Sequence, residues 1–174
     1  TPHAARVLRG AGAEVRRWDR MAGSGAEVSA WPPEGPFATV ALRMPKAKDE
    51  LEMLVHAAAG RLSEGGVLLV YGANDEGVRS AEGRIEPLLG PVATVVTKSR
   101  CRVLRAERPA GLSGLRDDLE RWRETWTLEV DDLRREWVSF PGVFAHGRLD
   151  AGTALLLDSI PDPGPGARVL DFGC

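Results

Sequence analysis

Residues 67–71 read Val-Leu-Leu-Val-Tyr without a polar interruption, with Gly65 and Gly66 before them and Gly72 after. A short apolar run closed in by glycines predicts a strand buried on both faces, and such strands belong to parallel sheets with helices packed over them. The segment ahead of it supplies the helix. Leu51, Leu54, Val55, Ala58 and Leu62 recur at helical spacing, Asp49, Glu50 and Glu52 crowd the first turns, and Gly65 and Gly66 follow the end, which suits the helix dipole and stop signals.

The flanking segments extend this unit. Phe37-Ala-Thr-Val-Ala-Leu-Arg43 is a strand between Pro36 and Pro45, and residues 77–89 form a helix weakened by Gly83 and Pro87. Residues 92–97 and 101–106 are β-rich and joined by Lys98, Ser99 and Arg100, which predicts an antiparallel hairpin. Strand, helix, strand, helix, hairpin is the order of an α/β open sheet with an inserted antiparallel strand. Upstream, residues 2–12 read as a helix running into a glycine turn, and residues 13–18 and 26–31 as short strands around a turn at 21–25.

Residues 109–114 are a linker by composition. Residues 1–110 carry 16 basic and 13 acidic side chains and residues 111–174 carry 7 and 12, so the sign of the net charge reverses there. Two domains are expected, 1–110 and 111–174. In the second, Leu115, Leu119, Trp122 and Trp126 mark a helix face, residues 126–130 and 136–140 a hairpin, residues 151–160 an apolar helix with Asp150 as N-cap, and residues 168–171 a final strand. Thr1 in place of Met, and a strand and glycine turn at 168–174 with no helix after them, predict a piece of a longer protein.

With 43% hydrophobic and 28% charged residues, the composition excludes general disorder. No apolar run approaches the roughly 18 residues needed to cross a bilayer, and no secretory pattern opens the chain, so a cytoplasmic setting without membrane is expected. Cys101 and Cys174 are the two cysteines and make neither a disulfide framework nor a metal site. A net charge of −2 excludes a broadly basic nucleic-acid binder. Locally, Lys98, Arg100, Arg102, Arg105 and Arg108 are opposed by Glu107 alone. Lys98, Arg100 and Arg102 alternate along the sequence onto one strand face, where they either meet phosphates or guard a solvated sheet edge.

Two further segments carry chemistry. Asp171-Phe172-Gly173 follows Val169-Leu170 as a glycine turn at the end of a strand, where backbone N–H groups approach a ligand in nucleotide-type folds and where ordinary loops also turn. Residues 140–153 combine a Pro-Gly turn, Phe144, His146 between small residues, and Asp150-Ala151-Gly152-Thr153 opening an apolar helix. His146 has no neighbouring ligand or carboxylate in the sequence and reads as a loop histidine.

The pattern Pro141-Gly142-Val143-Phe144, Leu149-Asp150-Ala151-Gly152-Thr153 with Leu155-Leu156-Leu157, and Val169-Leu170-Asp171 with Gly173-Cys174 resembles the opening of the catalytic domain of class I S-adenosylmethionine-dependent methyltransferases. It is most similar to the bacterial small-subunit ribosomal RNA guanine-N2 methyltransferases. Phe37 to Arg43, Met44-Pro45-Lys46-Ala47-Lys48, residues 65–72 and Thr97 to Cys101 look like the amino-terminal domain of that family. The likeness extends from residue 37 to residue 174.

The resemblance implies a Rossmann-like, methyltransferase-type open sheet, a degenerate copy with an antiparallel hairpin at its carboxyl end, followed by the first elements of a second such domain. It implies S-adenosylmethionine as cofactor and ribosomal RNA or the small ribosomal subunit as partner. Asp171 and Gly173 would begin the cofactor loop, with Asp150, Gly152 and Thr153 supporting it. Phe144 would reach the target base; the RNA would then be what Lys98, Arg100 and Arg102 meet, a reading that rests on their charge and not on the resemblance. Two readings stay open at two of these positions: Phe144 as a core side chain and Asp150 as a plain helix cap.

The family aligns its target amino group with an Asn-Pro-Pro-Phe segment after the fourth strand. Here Met44-Pro45-Lys46 follows the strand at Phe37–Arg43, and Trp31-Pro32-Pro33 precedes it. Without the Asn acceptor and the stacking ring, no catalytic residue falls in this segment and the first domain is expected to be silent. Rival readings are a nonenzymatic α/β module that binds RNA or supports folding, and an N6-adenine or protein methyltransferase.

Overall fold

The computed structural model describes residues 2–21, 25–130, 133–161 and 163–170. The elements run α1 (Pro2–Gly10), β1 (Trp18–Asp19), β2 (Glu27–Val28), β3 (Phe37–Arg43), α2 (Lys48–Arg61), β4 (Leu62–Ala73), α3 (Glu82–Leu89), β5 (Ala93–Lys98), β6 (Cys101–Glu107), β7 (Glu124–Val130), β8 (Leu133–Ser139) and α4 (Ala151–Ser159). Single 3-10 turns occupy Val78–Ser80 and Leu119–Trp122. The chain packs as two compact units, one containing the described residues up to Arg123 together with Phe140–Gly142, the other the remainder.

The first unit is built on a four-stranded sheet in the order β3-β4-β6-β5. β3 and β4 are parallel, with Val40 opposite Leu68 and Leu42 opposite Val70, and α2 makes the crossover between them. β6 enters antiparallel on the far side of β4, Leu68 facing Ala106 and Val70 facing Leu104, and β5 closes the edge. The expected α/β sheet with its inserted antiparallel strand is therefore present. β4 starts at Leu62, immediately after α2 ends at Arg61, so helix passes into strand without a connecting residue.

Alternate residues of β4 have different fates. Leu68 and Val70 are fully buried, and they join Leu104 and Ala106 of β6 in a core with Leu51, Val55, Ala58 and Ala59 of α2 and Ile85 and Leu89 of α3. Val67, Leu69 and Tyr71 are half-buried. The apolar run thus does not report a strand covered on both faces: the core lies on the side of α2 and α3. The other side of α2 carries Met53 and Leu54 into a second cluster with Trp122, against which Trp18, Trp31, Leu119 and Phe140 pack.

That second cluster explains a departure from the sequence reading. The spacing of Leu115, Leu119, Trp122 and Trp126 predicts a helix, whereas only a 3-10 turn forms and Trp126 lies in β7 opposite Trp137. Leu115 packs on the first cluster while Leu119 and Trp122 pack on the second, so the spacing serves a strap over two clusters. Asp118 caps the turn by accepting the N–H of Glu120, and the Arg116 guanidinium stacks 3.5 Å above the Trp122 ring. The strands expected at 13–18 and 26–31 shrink to the two-residue parallel pair β1–β2, and residues 22–24 of the turn between them lie outside the described residues. Residues 168–170 form no strand, and Val169 and Leu170 stand exposed with no ladder beside them; Asp171 lies outside the described residues.

The carboxyl ends of β3 and β4, where α/β sheets bind ligands, are closed by side chains. Met44 donates its N–H to Tyr71 O at 2.8 Å and is buried over Gly72. A Cβ on Gly72 would sit 2.7 Å from Met44 Cβ and 3.1 Å from Glu76 Oε2. Glu76 is fixed in turn, accepting the Ala73 N–H at 2.8 Å and the Arg43 guanidinium at 2.6 Å. We expect Gly72→Ala to cost about 1–3 kcal/mol by overpacking, read as a lowered denaturant midpoint; an unchanged midpoint would show that Met44 has room to yield.

Candidate functional site

The segment expected to begin the active domain is anchored at its first residues. Arg20 Nη1 donates to Pro141 O at 2.9 Å and lies 3.5 Å from Glu50 Oε1 in the first turn of α2. Gly142 turns the chain at φ +86°, and a Cβ there would fall 2.4 Å from Glu50 Cδ. The positive φ is what favours glycine there. Burial pushes the Glu50 carboxyl above its ordinary 4.5, opposed by Arg20 and assisted by Asp49.

In the second unit the β7–β8 hairpin holds the following loop through His146. Ser139 Oγ and His146 Nδ1 share a hydrogen bond of 2.7 Å, His146 Nε2 lies 3.4 Å from Glu124 Oε2, and the ring meets Trp126 edge-on. Along the sequence this histidine has no carboxylate partner. Hairpin pairing supplies one, because Glu124 lies opposite Ser139, a relation that sequence distance conceals. Gly147, at φ +73°, comes so close to the Trp126 indole that a Cβ would stand 2.7 Å from it. Phe144 is 84% exposed in this chain.

Asp150 caps α4. Its Oδ1 accepts the Gly152 N–H at 2.9 Å, and its Oδ2 accepts the Thr153 N–H at 2.9 Å and the Thr153 hydroxyl. The hydroxyl, then the two N–H groups, holds its carboxyl below the usual 3.8. Both oxygens are spent within the cap, so Asp150, Gly152 and Thr153 form one local motif that fixes the start of α4. Leu155, Leu156, Leu157 and Ile160 beyond it are exposed. Asp171 and Gly173 lie outside the described residues.

Lys98, Arg100 and Arg102 do not share a strand face. Ser99 and Arg100 form the two-residue turn, at φ +50° and +62°, and place Lys98 opposite Cys101 but Arg102 opposite Thr97. Directly paired residues point to the same side, so Lys98 and Arg102 point to opposite sides. Instead the structure joins Arg102 to a residue that belongs to no sequence motif. Asn74 Oδ1 accepts Arg102 Nε–H at 3.1 Å and Arg79 Nε–H at 3.4 Å, while Asn74 N–H donates to Arg100 O at 2.8 Å. Among the described residues no group of three His, Cys, Asp or Glu side chains could hold a metal ion, and no helix is long and apolar enough to cross a membrane.

A parallel pair with an antiparallel insertion makes the first unit a mixed α/β open sheet, and a hairpin and a capped helix open the second. The chain belongs to the family described as methyltransferase small domain N-terminal, whose model matches residues 16–114; residues 135–174 match the methyltransferase small domain. The chain is 35% identical over 147 residues to ribosomal RNA small subunit methyltransferase C of Pseudoalteromonas atlantica, covering 84% of this chain and 42% of that protein. It is 34% identical over 179 residues to the protein of that name from Hahella chejuensis, covering 96% and 52%. The chain therefore spans about half the length of these relatives. A T. thermophilus 16S rRNA N2 methyltransferase, solved with AdoMet and guanosine, superposes with a TM-score of 0.61 at 24% identity, over 72% of this chain and 33% of that one.

Two titrations test this geometry. The lowered Asp150 pKa means that the cap contributes above pH 3.8 and is lost as pH falls through the lowered value. Amide protection at Gly152 and Thr153 should follow that course, collapse in Asp150→Ala and survive in Asp150→Asn. The raised Glu50 pKa has the reverse sign: its contribution is full below 4.5 and is lost as pH rises through the raised value. Glu50→Gln should equal or exceed the parent in stability at pH 7, with a flatter pH profile above 4.5; a less stable variant would show that the Arg20 ion pair outweighs burial.

Proposed function

We propose that this chain is the amino-terminal domain, to about residue 110, and the opening of the catalytic domain of an enzyme that methylates the exocyclic N2 of a guanine in small-subunit ribosomal RNA. S-adenosylmethionine is the methyl donor, and the substrate places the enzyme in the cytoplasm with ribosomal RNA or the small ribosomal subunit as its partner. What carries this reading is the matched run from the sealed first sheet through the Phe144 loop to the capped α4, in a chain similar over most of its length to proteins named ribosomal RNA small subunit methyltransferase C.

The carboxyl end of the first sheet does not fit the cofactor. Met44 over Gly72, and Glu76 bound to Ala73 N–H and Arg43, occupy the crevice, and no reaction step is assigned there. In the second unit Asp171 and Gly173 would meet the cofactor. Asp150, Gly152 and Thr153 act indirectly by fixing the start of α4, and Phe144 offers its face to a base. When bound, the cofactor supplies an activated methyl group for direct displacement, and the protein's task is to align the amine with it.

Isothermal titration tests the assignment. The 174-residue chain should show weak or no S-adenosylmethionine binding and no methyl transfer, whereas a chain extended through a complete second domain should bind. Asp171→Ala in the extended protein should weaken binding by an order of magnitude or more, since losing a buried hydrogen-bonding partner costs about 1–3 kcal/mol. Low-micromolar binding by the 174 residues alone would instead place a working pocket in the first unit.

A further inference from the structure

The corner where β4 ends and the β5–β6 hairpin turns brings three guanidinium-bearing residues together without a carboxylate. Arg79 and Arg102 each give their Nε–H to one neutral oxygen, Asn74 Oδ1, and Arg100 stands at the turn whose carbonyl Asn74 N–H grips. Among the described residues none of the three makes an ion pair. The nearby Glu76 is committed to Arg43 and Ala73 N–H, and Asp75 is exposed.

Two guanidinium groups sharing one neutral acceptor repel each other. A fold selected only for stability would place a carboxylate where Asn74 stands. With Nε engaged, each of Arg79 and Arg102 retains its two terminal nitrogens, the fork that matches two oxygens of a phosphate. The turn adds a second oddity. Arg100 occupies a position at φ +62° where Gly or Asn would be favoured, so the turn itself does not ask for this side chain.

We propose that Arg79, Arg100 and Arg102 bind phosphates of an RNA backbone, with Asn74 as the residue that positions two of them. The site lies on the outer surface beside a filled crevice, so it suits a polyanionic chain passing over it. Lys98 is excluded, because hairpin register turns it to the opposite side. This inference rests on the RNA-modifying reading above and supplies the first unit with a role in holding the substrate.

The test uses the 174-residue chain and a fluorescein-labelled RNA stem-loop, with anisotropy read across a KCl series. The parent should bind at low salt. Arg79→Gln with Arg102→Gln should lower the log–log salt slope by about 1.4 to 1.8, since each phosphate contact contributes roughly 0.7 to 0.9. Lys98→Gln should leave slope and affinity unchanged. Asn74→Ala keeps every cation and should weaken binding at constant salt, and Arg102→Lys, which keeps charge but loses the fork, should do the same with an unaltered melting temperature. The proposal is overturned if the parent does not bind, if polyglutamate competes as well as RNA, if the double variant keeps its slope while Lys98→Gln loses affinity, or if neither Asn74→Ala nor Arg102→Lys has an effect. S-adenosylmethionine binding by the extended protein is measured separately: its loss condemns the enzymatic reading, whereas loss of RNA binding alone condemns this site.

Discussion

The first unit depends on the burial of one face of β4. Leu68 and Val70 sit between β3 and β6 and under α2 and α3, and each is fully buried. Because the parallel β3 and the antiparallel β6 both pair with this strand, its register sets theirs. The glycine near its carboxyl end, Gly72, then decides what can approach. Gly72 admits Met44, and Met44 fills the space that an α/β sheet ordinarily keeps for a ligand. Core packing and the close contact of Met44 with Gly72 thus have a common origin in one strand.

The second unit uses different means. Among its described residues few side chains are buried in this chain, which spans about half the length of its relatives, and α4 has none. Order there comes from polar closures between residues close in sequence or paired across the hairpin: Asp150 with Gly152 and Thr153, and His146 with Ser139 and Glu124. The loop between them still has a defined path, since Gly147 is pressed against Trp126 and Asp150 fixes where helix begins. An exposed aromatic on such a loop can be presented to a planar ligand at little conformational cost.

Sequence alone revealed the elements whose periodicity is long and whose ends are chemically marked. α2, β3, the core of β4 and the β5–β6 hairpin belong to this group, as does the cap at Asp150. The strap at 115–123 was misread because helical spacing also arises when a chain crosses two separate apolar clusters, and a one-dimensional pattern cannot tell these apart. Lys98, Arg100 and Arg102 were grouped by alternation, a rule that fails across a two-residue turn. Asn74 and Glu124 were missed for a further reason: each acquires its role from a partner brought near by strand pairing, and neither belongs to a recognisable motif.

The direct passage from α2 into β4 has a consequence for how such a chain can change over time. A residue inserted between Arg61 and Leu62 meets no loop at the junction itself, and the nearest slack is the register irregularity of β4 opposite Phe37 and Thr39. Unless that irregularity takes it up, the residue rotates the helix by about 100° relative to the strand and turns Leu51 and Val55 off the core. The alternative is to move the β4 side chains to the opposite surface of the sheet, exchanging Leu68 and Val70 for their half-buried neighbours. Length variation among descendants of this fold should therefore be displaced to the connections after β4 and β6, where the chain has slack, leaving the helix–strand junction as a fixed ruler against which the rest is measured.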